Sequence, residues 1–450
     1  MASVKRIVKR VALALGVLAL AVFTLSYVGI HWGLTPIPRP PYGIRLQPLS
    51  PPLTKADLRP DNGAYDYMNA VAAMQHHQWS KDSERQIEAV TVGIISGDTN
   101  AIEQTLREIQ PALELVRKGS KASSCQMPQI DLTTDIDALN TLRQLARLLI
   151  ADGKWAEHHG DIRRASEDYL ATVKLGTDCA TGGPIFPDLV GDSIVGMGTR
   201  ALRALAIQSA NSSSDTRELR ERLNRIASQK SPFAETLRYE LTFQKEQLHH
   251  TAFAQSKWWW AVSESVTFRC FDAAFGDLIR DAERPFWESK AKAIDKKWTV
   301  SDRTAWLCFF NRPVARIFIA MMLPTIERTR AKSVHADVEL NATSTVCALK
   351  SYELVHGSAP EDLSDLVPEF LPSIPIDSFD GKPLRYRHDG KEWALWSVGH
   401  DVKEDSAHGT TTTTGIPGKS TKTGDIYFKS TEPQDDLAGY LSKDKSNQPG

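Results

Sequence analysis

Three histidine pairs, His76-His77, His158-His159 and His249-His250, are the residues of this chain most readily imagined as metal ligands or proton carriers. Adjacent residues on a helix point about 100° apart, so a single pair is a poor bidentate site. None stands in HExxH, HxxxH or DxH spacing. A site would therefore need two pairs and a carboxylate gathered by the fold, and surface or packing histidines are the favoured reading. Glu235, Arg238 and Glu240 could form a buried acid cluster, but an exposed, charged helix face is favoured. "GDSIVGMG", from Gly191 to Gly198, matches neither a P-loop nor GxGxxG after a strand, and no G-x-S-x-G elbow is present. Its glycines read as close helix packing. Trp258–Trp260 could touch membrane or carbohydrate, with core or interdomain packing the favoured account. Cys125, Cys179, Cys270, Cys308 and Cys347 lack CxxC spacing, which argues against a zinc ribbon or dithiol redox site. Bridged and unbridged arrangements both stay open. No catalytic set emerges, so the expectation is a non-enzymatic protein. A hydrolase whose site is assembled from distant acids and histidines is the alternative.

The elements that would position these residues are mostly helical from Asp61 to Arg330. Asp61 or Asn62 caps a helix through "AYDYMNAVAAM". Two further helices flank a break at Gly97-Asp98-Thr99. Leu139, Leu142, Leu145, Leu148 and Leu149 make an apolar stripe, His159-Gly160-Asp161 turns the chain, and Ala165, Tyr169, Val173 and Leu175 face back. This hairpin resembles a single tetratricopeptide-type unit, without a second copy at a 34-residue period. The apolar run Val314–Leu323 is too short to span a bilayer. It reads as a buried helix interrupted by Pro324, with a second helix from Ile326 to His356 stopped at Gly357. Short β-type segments follow, and the end of the chain is polar.

A composition 41% hydrophobic and 24% charged is that of a globular chain rather than a multi-span membrane protein. The formal net charge of -1 gives no reason to expect nucleic acid. The N-terminus is different. Lys5, Arg6, Lys9 and Arg10 precede an uncharged run, Val11–Ile30. About 20 such residues cross a hydrocarbon core of roughly 30 Å. The run is longer than a signal-peptide core, Leu25-Ser26-Tyr27 is a poor cleavage match, and His31-Trp32 suits an interfacial anchor. An uncleaved single-pass signal anchor is expected, with the bulk of the chain extracytoplasmic. The Pro-rich stretch Leu34–Leu53 reads as a stiff spacer lifting the body off the membrane.

The C-terminal region carries the most specific pattern. A helix ends in "YELVHGSAP", followed by "EDLSDLVPEFLP", a turn and strand in "PIDSFDGKPLRY", a second strand in "WALWSVGHD", and "GDIYF". Asp377 and Asp380-Gly381 are turn residues, and Tyr386, Trp393, Leu395 and Trp396 supply an apolar face to the hairpin. In that order these pieces resemble the C-terminal module of the G-type major pseudopilin of type II secretion, over about a fifth of the chain. The leader junction and anchor glutamate of that family have no counterpart in Val11–Ile30. The resemblance therefore implies the module without processing or assembly as a pseudopilin. It also implies a structural calcium ion held by Asp401, Glu404, Asp405 and Asp425, since calcium takes six to eight hard oxygens. Val402 stands where that family commonly has Gly.

The expected fold is mainly α. A transmembrane anchor (1–33) and spacer (34–55) lead to an irregular α-helical body (56–328). A small α+β pseudopilin-like module with a short antiparallel sheet (329–430) and a disordered tail (431–450) complete it. The expected setting is a bacterial inner membrane with the bulk periplasmic. The expected role is binding or scaffolding a protein partner of the cell envelope, with an accessory part in a type II secretion or pilus-like system as another reading.

Overall fold

The computed structural model describes residues 39–75, 77, 80–95, 99–129, 136–208, 212–250, 264–298, 313–390, 392–402 and 426–430, together with Leu20, Ala21 and Thr24. These residues form eleven α-helices and one three-stranded sheet. Among the described residues no helix is long and apolar enough to cross a membrane. The expected anchor, Val11–Ile30, lies outside them apart from the three residues named. Residues 50–232, 285–287 and 330–450 make one compact unit, and residues 1–49, 233–284 and 288–329 another.

In the larger unit, α1 (Gly63–Gln75), α2 (Lys81–Thr91) and α3 (Thr99–Ser120) precede the hairpin of α4 (Ile136–His158) and α5 (Ile162–Cys179). Asn62, rather than Asp61, caps α1, its Oδ1 accepting from the Ala64 amide at 3.1 Å. The leucine stripe of α4 is buried as expected, and Ala165, Tyr169, Val173 and Leu175 of α5 are wholly enclosed. Gly160 makes the turn at φ +81°, a conformation glycine adopts without a Cβ clash, and Asp161 caps α5 through the Arg164 amide at 3.0 Å. α6 (Ile185–Gln208) packs against α5 so closely that a Cβ at Gly191 would stand 2.4 Å from the Gly176 carbonyl oxygen. The Gly-rich segment thus has the packing role its spacing suggested. α7 (Ser213–Ala227) follows.

The C-terminal part of this unit begins in α11 (Pro313–His356), which belongs to it from Arg330 onward. α11 is one continuous helix, not two joined at Pro324. Proline removes a single amide donor, and the buried face on either side, Ile319, Leu323 and Ile326, holds the helix in register. A 3-10 turn, Leu363–Leu366, leads to β1 (Arg385–His388), β2 (Trp393–Ser397) and β3 (Ile426–Lys429), antiparallel in that order. Asp377 is fully buried. It accepts from the amides of Phe379 (3.0 Å) and Val398 (2.9 Å) and from the Ser397 hydroxyl (2.9 Å), tying the turn to β2. Trp393 and Leu395 face the core, whereas Trp396 points to the other face and stacks on Tyr427 at 5.8 Å. Strand alternation separates residues 395 and 396, so the four aromatic and aliphatic residues do not share one face. The sheet is pinned to α6 where the Arg203 guanidinium lies over Phe428, 4.7 Å from the ring centre, while bonding Glu339 (2.5 Å) and Thr343 (2.9 Å).

In the smaller unit, α8 (Phe233–Leu248) packs against α9 (Glu264–Ala282), followed by α10 (Ala291–Trp298) and the first part of α11. Glu235, Arg238 and Glu240 are buried, contrary to the exposed face expected. The cause is the Pro-rich stretch. Glu235 accepts from the Leu49 amide (2.5 Å) and the Arg45 guanidinium (2.8 Å), and Arg238 donates to the Arg45 carbonyl (3.0 Å). Arg280 donates to the Tyr42 carbonyl (2.6 Å), and Pro40 and Pro41 lie over Gly276, where a Cβ would stand 2.8 Å from Pro41 Cδ. From Pro40 to Leu49 the chain is therefore a strap bonded to α8 and α9, not a free spacer. Three of these ten residues are proline and bring no amide donor to a regular ladder, and the Tyr42 and Arg45 carbonyls are bonded by arginines.

Candidate functional site

A groove of about 990 Å³ lies in the larger unit, walled by α3, α4 and α5. Glu103, Arg107, Gln110, Glu114, Arg117 and Lys121 all line it. They recur every three or four residues, which places the first five on a single face of α3, with Lys121 just past its end. Ile102, Leu106, Ile109, Leu113 and Val116 anchor the adjoining face in the core, and Leu106 also borders the groove. From the hairpin come Asp152 and Trp155 on α4, then Arg163, Arg164, Glu167 and Asp168 on α5. Gly153 sets the approach of these two helices. A Cβ there would stand 2.4 Å from the Tyr169 ring, so the ring lies flat on α4 and its hydroxyl reaches Glu157 at 2.8 Å.

Arg117 organises the floor. Its Nε donates to Asp168 Oδ1 (2.6 Å), one terminal nitrogen to Asp152 Oδ2 (2.5 Å), and the other to Glu114 (2.7 Å) and Gln110 (3.0 Å). Arg164 shares Asp152 Oδ2 at 2.7 Å, and Gln110 donates to Asp152 Oδ1 at 2.9 Å. Asp152 is thereby saturated. Asp168 is not: it is fully buried, and its Oδ2 has no hydrogen-bond partner. Burial pushes the Asp168 carboxyl up to about 7 against the opposing pull of Arg117. Burial works against the Arg117 charge, yet its bonds to Asp168 and Asp152 raise its affinity for the proton on balance. Glu167 is held below its usual range by the Arg222 fork, at 2.5 and 2.7 Å. Arg163 and Lys121 stand exposed on the rim. The arrangement is an ion-paired floor under a rim of mixed charge, with Glu103, Glu114 and Asp161 beside Arg107, Lys121 and Arg163, suited to holding a polar, charged segment.

Comparison with protein-family models, with curated proteins and with solved structures finds no match. The groove is therefore read from its own chemistry.

Of the residues picked out in the sequence, His159 bonds the Trp155 carbonyl through Nδ1 (2.8 Å) and His249 bonds Glu264 (2.7 Å). These two pairs belong to different units. Among the described residues no group of three or more His, Cys, Asp or Glu is placed to hold a metal ion. Of the expected calcium ligands only Asp401 is described, and it is exposed in a turn; Glu404, Asp405 and Asp425 lie outside the described residues, as do Trp258–Trp260. Cys125, Cys179 and Cys347 are free thiols, and Cys308 lies outside the described residues. Burial, with Asp178 adding to it, pushes the Cys125 thiol well up, which keeps it protonated.

Two buried clusters had no expectation attached. Lys230 lies among Asp337 (2.8 Å), Asp192 (3.5 Å) and the Ser333 carbonyl (2.8 Å), with Asp188 buried beside them. Burial raises the Asp192 carboxyl to about 6 and Asp188 well above its ordinary value. Elsewhere Asp178 accepts from the Tyr67 hydroxyl (2.8 Å) and from Lys174. Neither cluster contributes a residue to the α3–α4–α5 groove. The α3 stripe could have been found from its 3–4 residue recurrence. The buried acids Asp152 and Asp168 could not, because only the partner helix reveals their burial.

Proposed function

We propose that this chain is a non-enzymatic, membrane-anchored envelope protein that binds a charged segment of a protein partner in the α3–α4–α5 groove. The observation carrying this reading is the preorganised floor, in which Arg117 locks two buried carboxylates beneath a rim bearing Arg163 and Lys121. Fixed charges in a groove favour partner choice and orientation over raw affinity. The N-terminal pattern of a basic flank and an uncharged 20-residue run supports single-pass anchoring. The test is capture from detergent-solubilised membranes with the full chain as bait. A discrete component retained by the native chain and lost from K121E/R163E supports the reading, and equal recovery with both sinks it.

A second reading, an accessory role in a type II secretion or pilus-like system, is favoured by the order of elements at the C-terminus. A long helix, a 3-10 turn and a β1-β2-β3 antiparallel sheet follow the order implied by the pseudopilin resemblance. Co-purification with secretion-system proteins tests it, and no enrichment over residues 1–55 alone counts against it.

A further inference from the structure

We infer that the first part of α11 docks on the lipid surface beside the anchor. Ile317, Phe318 and Met321 are exposed, with Met321 at 69%, and Pro324, Thr325 and Arg328 continue the same face. At helical spacing these residues fall within about 120° of one another, an apolar stripe ended by a cation. Its other side is committed to the core through Ala315, Ile319, Leu323 and Ile326. An exposed apolar face of this kind on a helix marks an interaction surface.

Two observations in the same unit name a bilayer as its occupant. The first is tether length. This unit holds the strap Pro40–Leu49, bonded to α8 and α9. The inference rests here on the anchor reading above: between Ile30, where the apolar run ends, and Arg39 there are only eight residues. Fully extended, that link reaches about 30 Å, so the strap holds its unit at the membrane surface. The second is charge. α10 carries exposed Lys292 and Lys296, with Lys297 paired to Asp277 at 2.6 Å, and its C-terminus lies against α11, where Arg316 and Lys297 both approach the buried Trp298 ring, at 5.9 and 5.4 Å from its centre. A cationic helix beside an apolar stripe suits anionic headgroups over acyl chains.

The test uses the full chain in vesicles of phosphatidylethanolamine and phosphatidylglycerol containing a lipid with a nitroxide on its acyl chain. A fluorescent amino acid replaces Met321 in one preparation and exposed Arg85 of the larger unit in another; both are surface positions, and melting curves confirm that the fold is kept. Quenching several-fold stronger at 321 than at 85, reduced when phosphatidylglycerol is omitted, is the expected result. Equal quenching at the two positions overturns the docking. So does a protein dimer crosslinked through residue 321 without lipid quenching, which would seat a second copy on this face. Alkaline-carbonate extraction separates the two levels: a chain that stays in the vesicles without quenching at 321 is anchored but undocked, whereas one that is released unquenched refutes the anchor as well.

Discussion

Removing Arg117 tests how the groove floor is held. Arg117→Leu keeps the bulk of the side chain and deletes the cation that binds Asp168, Asp152 and Glu114. Asp152 keeps Arg164 and Gln110. Asp168, wholly buried, loses the cation bonded to its Oδ1 and already has no partner at Oδ2. Stranding one buried charge of a pair costs about 3–5 kcal/mol. In a unit of this size that lowers the melting temperature by about 10 °C. The loss depends on pH in a defined direction. Asp168 titrates near 7 in the folded chain and near about 3.9 when unfolded, so the folded state holds an extra proton between those values. Its contribution to stability is full below the unfolded value and is lost as pH rises through about 7. The Arg117→Leu penalty is therefore largest at about pH 8 and shrinks toward about pH 5, where Asp168 is already neutral. Asp168→Asn, which removes the charge needing compensation, should cost less than Arg117→Leu and partly rescue it in the double variant. Scanning calorimetry of the native chain, both single variants and the double variant across this range measures all four quantities. A pH-independent penalty, or a double variant no better than Arg117→Leu alone, refutes the account of the floor.

Gly191→Ala drives a Cβ to 2.4 Å from the Gly176 carbonyl, whereas Gly196, on the same helix, has nothing within 4 Å; the first should destabilise by about 1–3 kcal/mol and Gly196→Ala should stabilise by about 0.5–1 kcal/mol in thermal melts. Asp377→Ala strips the acceptor from two amides, the Ser397 hydroxyl and Arg385, so a loss of about 3 kcal/mol is expected. Hydrogen exchange should then quicken across residues 376–398, and unchanged protection there would contradict the role given to this carboxylate. Val402 is the one non-glycine with positive φ among the described residues, at 53°. Val402→Gly should therefore stabilise by up to about 1 kcal/mol, read as a rise in melting temperature.

Much of the fold was legible because local pattern and tertiary role agree. The leucine stripe of α4, the Gly160-Asp161 turn, Gly191 and Gly198 of α6 and the Asp377–Gly381 turn each do in the structure what their residue types favour alone. The sheet, too, lies where alternating apolar residues placed it. Misreadings arose where a distant segment changes a residue's surroundings. Glu235 and Arg238 look like a solvated helix face until the strap from Pro40 to Leu49 covers them, nearly 200 residues away in sequence. Pro324 looks like a break until the buried face of α11 outweighs one lost amide bond. The groove was hidden for the same reason. Its α3 stripe reads as ordinary surface charge, and only the packing of α4 and α5 turns it into a wall. Val402 shows a third case, since its residue type gives no sign of the left-handed backbone conformation it adopts.

Site-specific photo-crosslinking in living cells shows whether the groove holds a protein partner, with a photoreactive amino acid replacing Arg163 on the groove rim or Arg85 on α2. Position 163 should give a discrete protein adduct that is absent at position 85 and diminished by Lys121→Glu. No adduct at 163, or the same adduct from both positions, would contradict it.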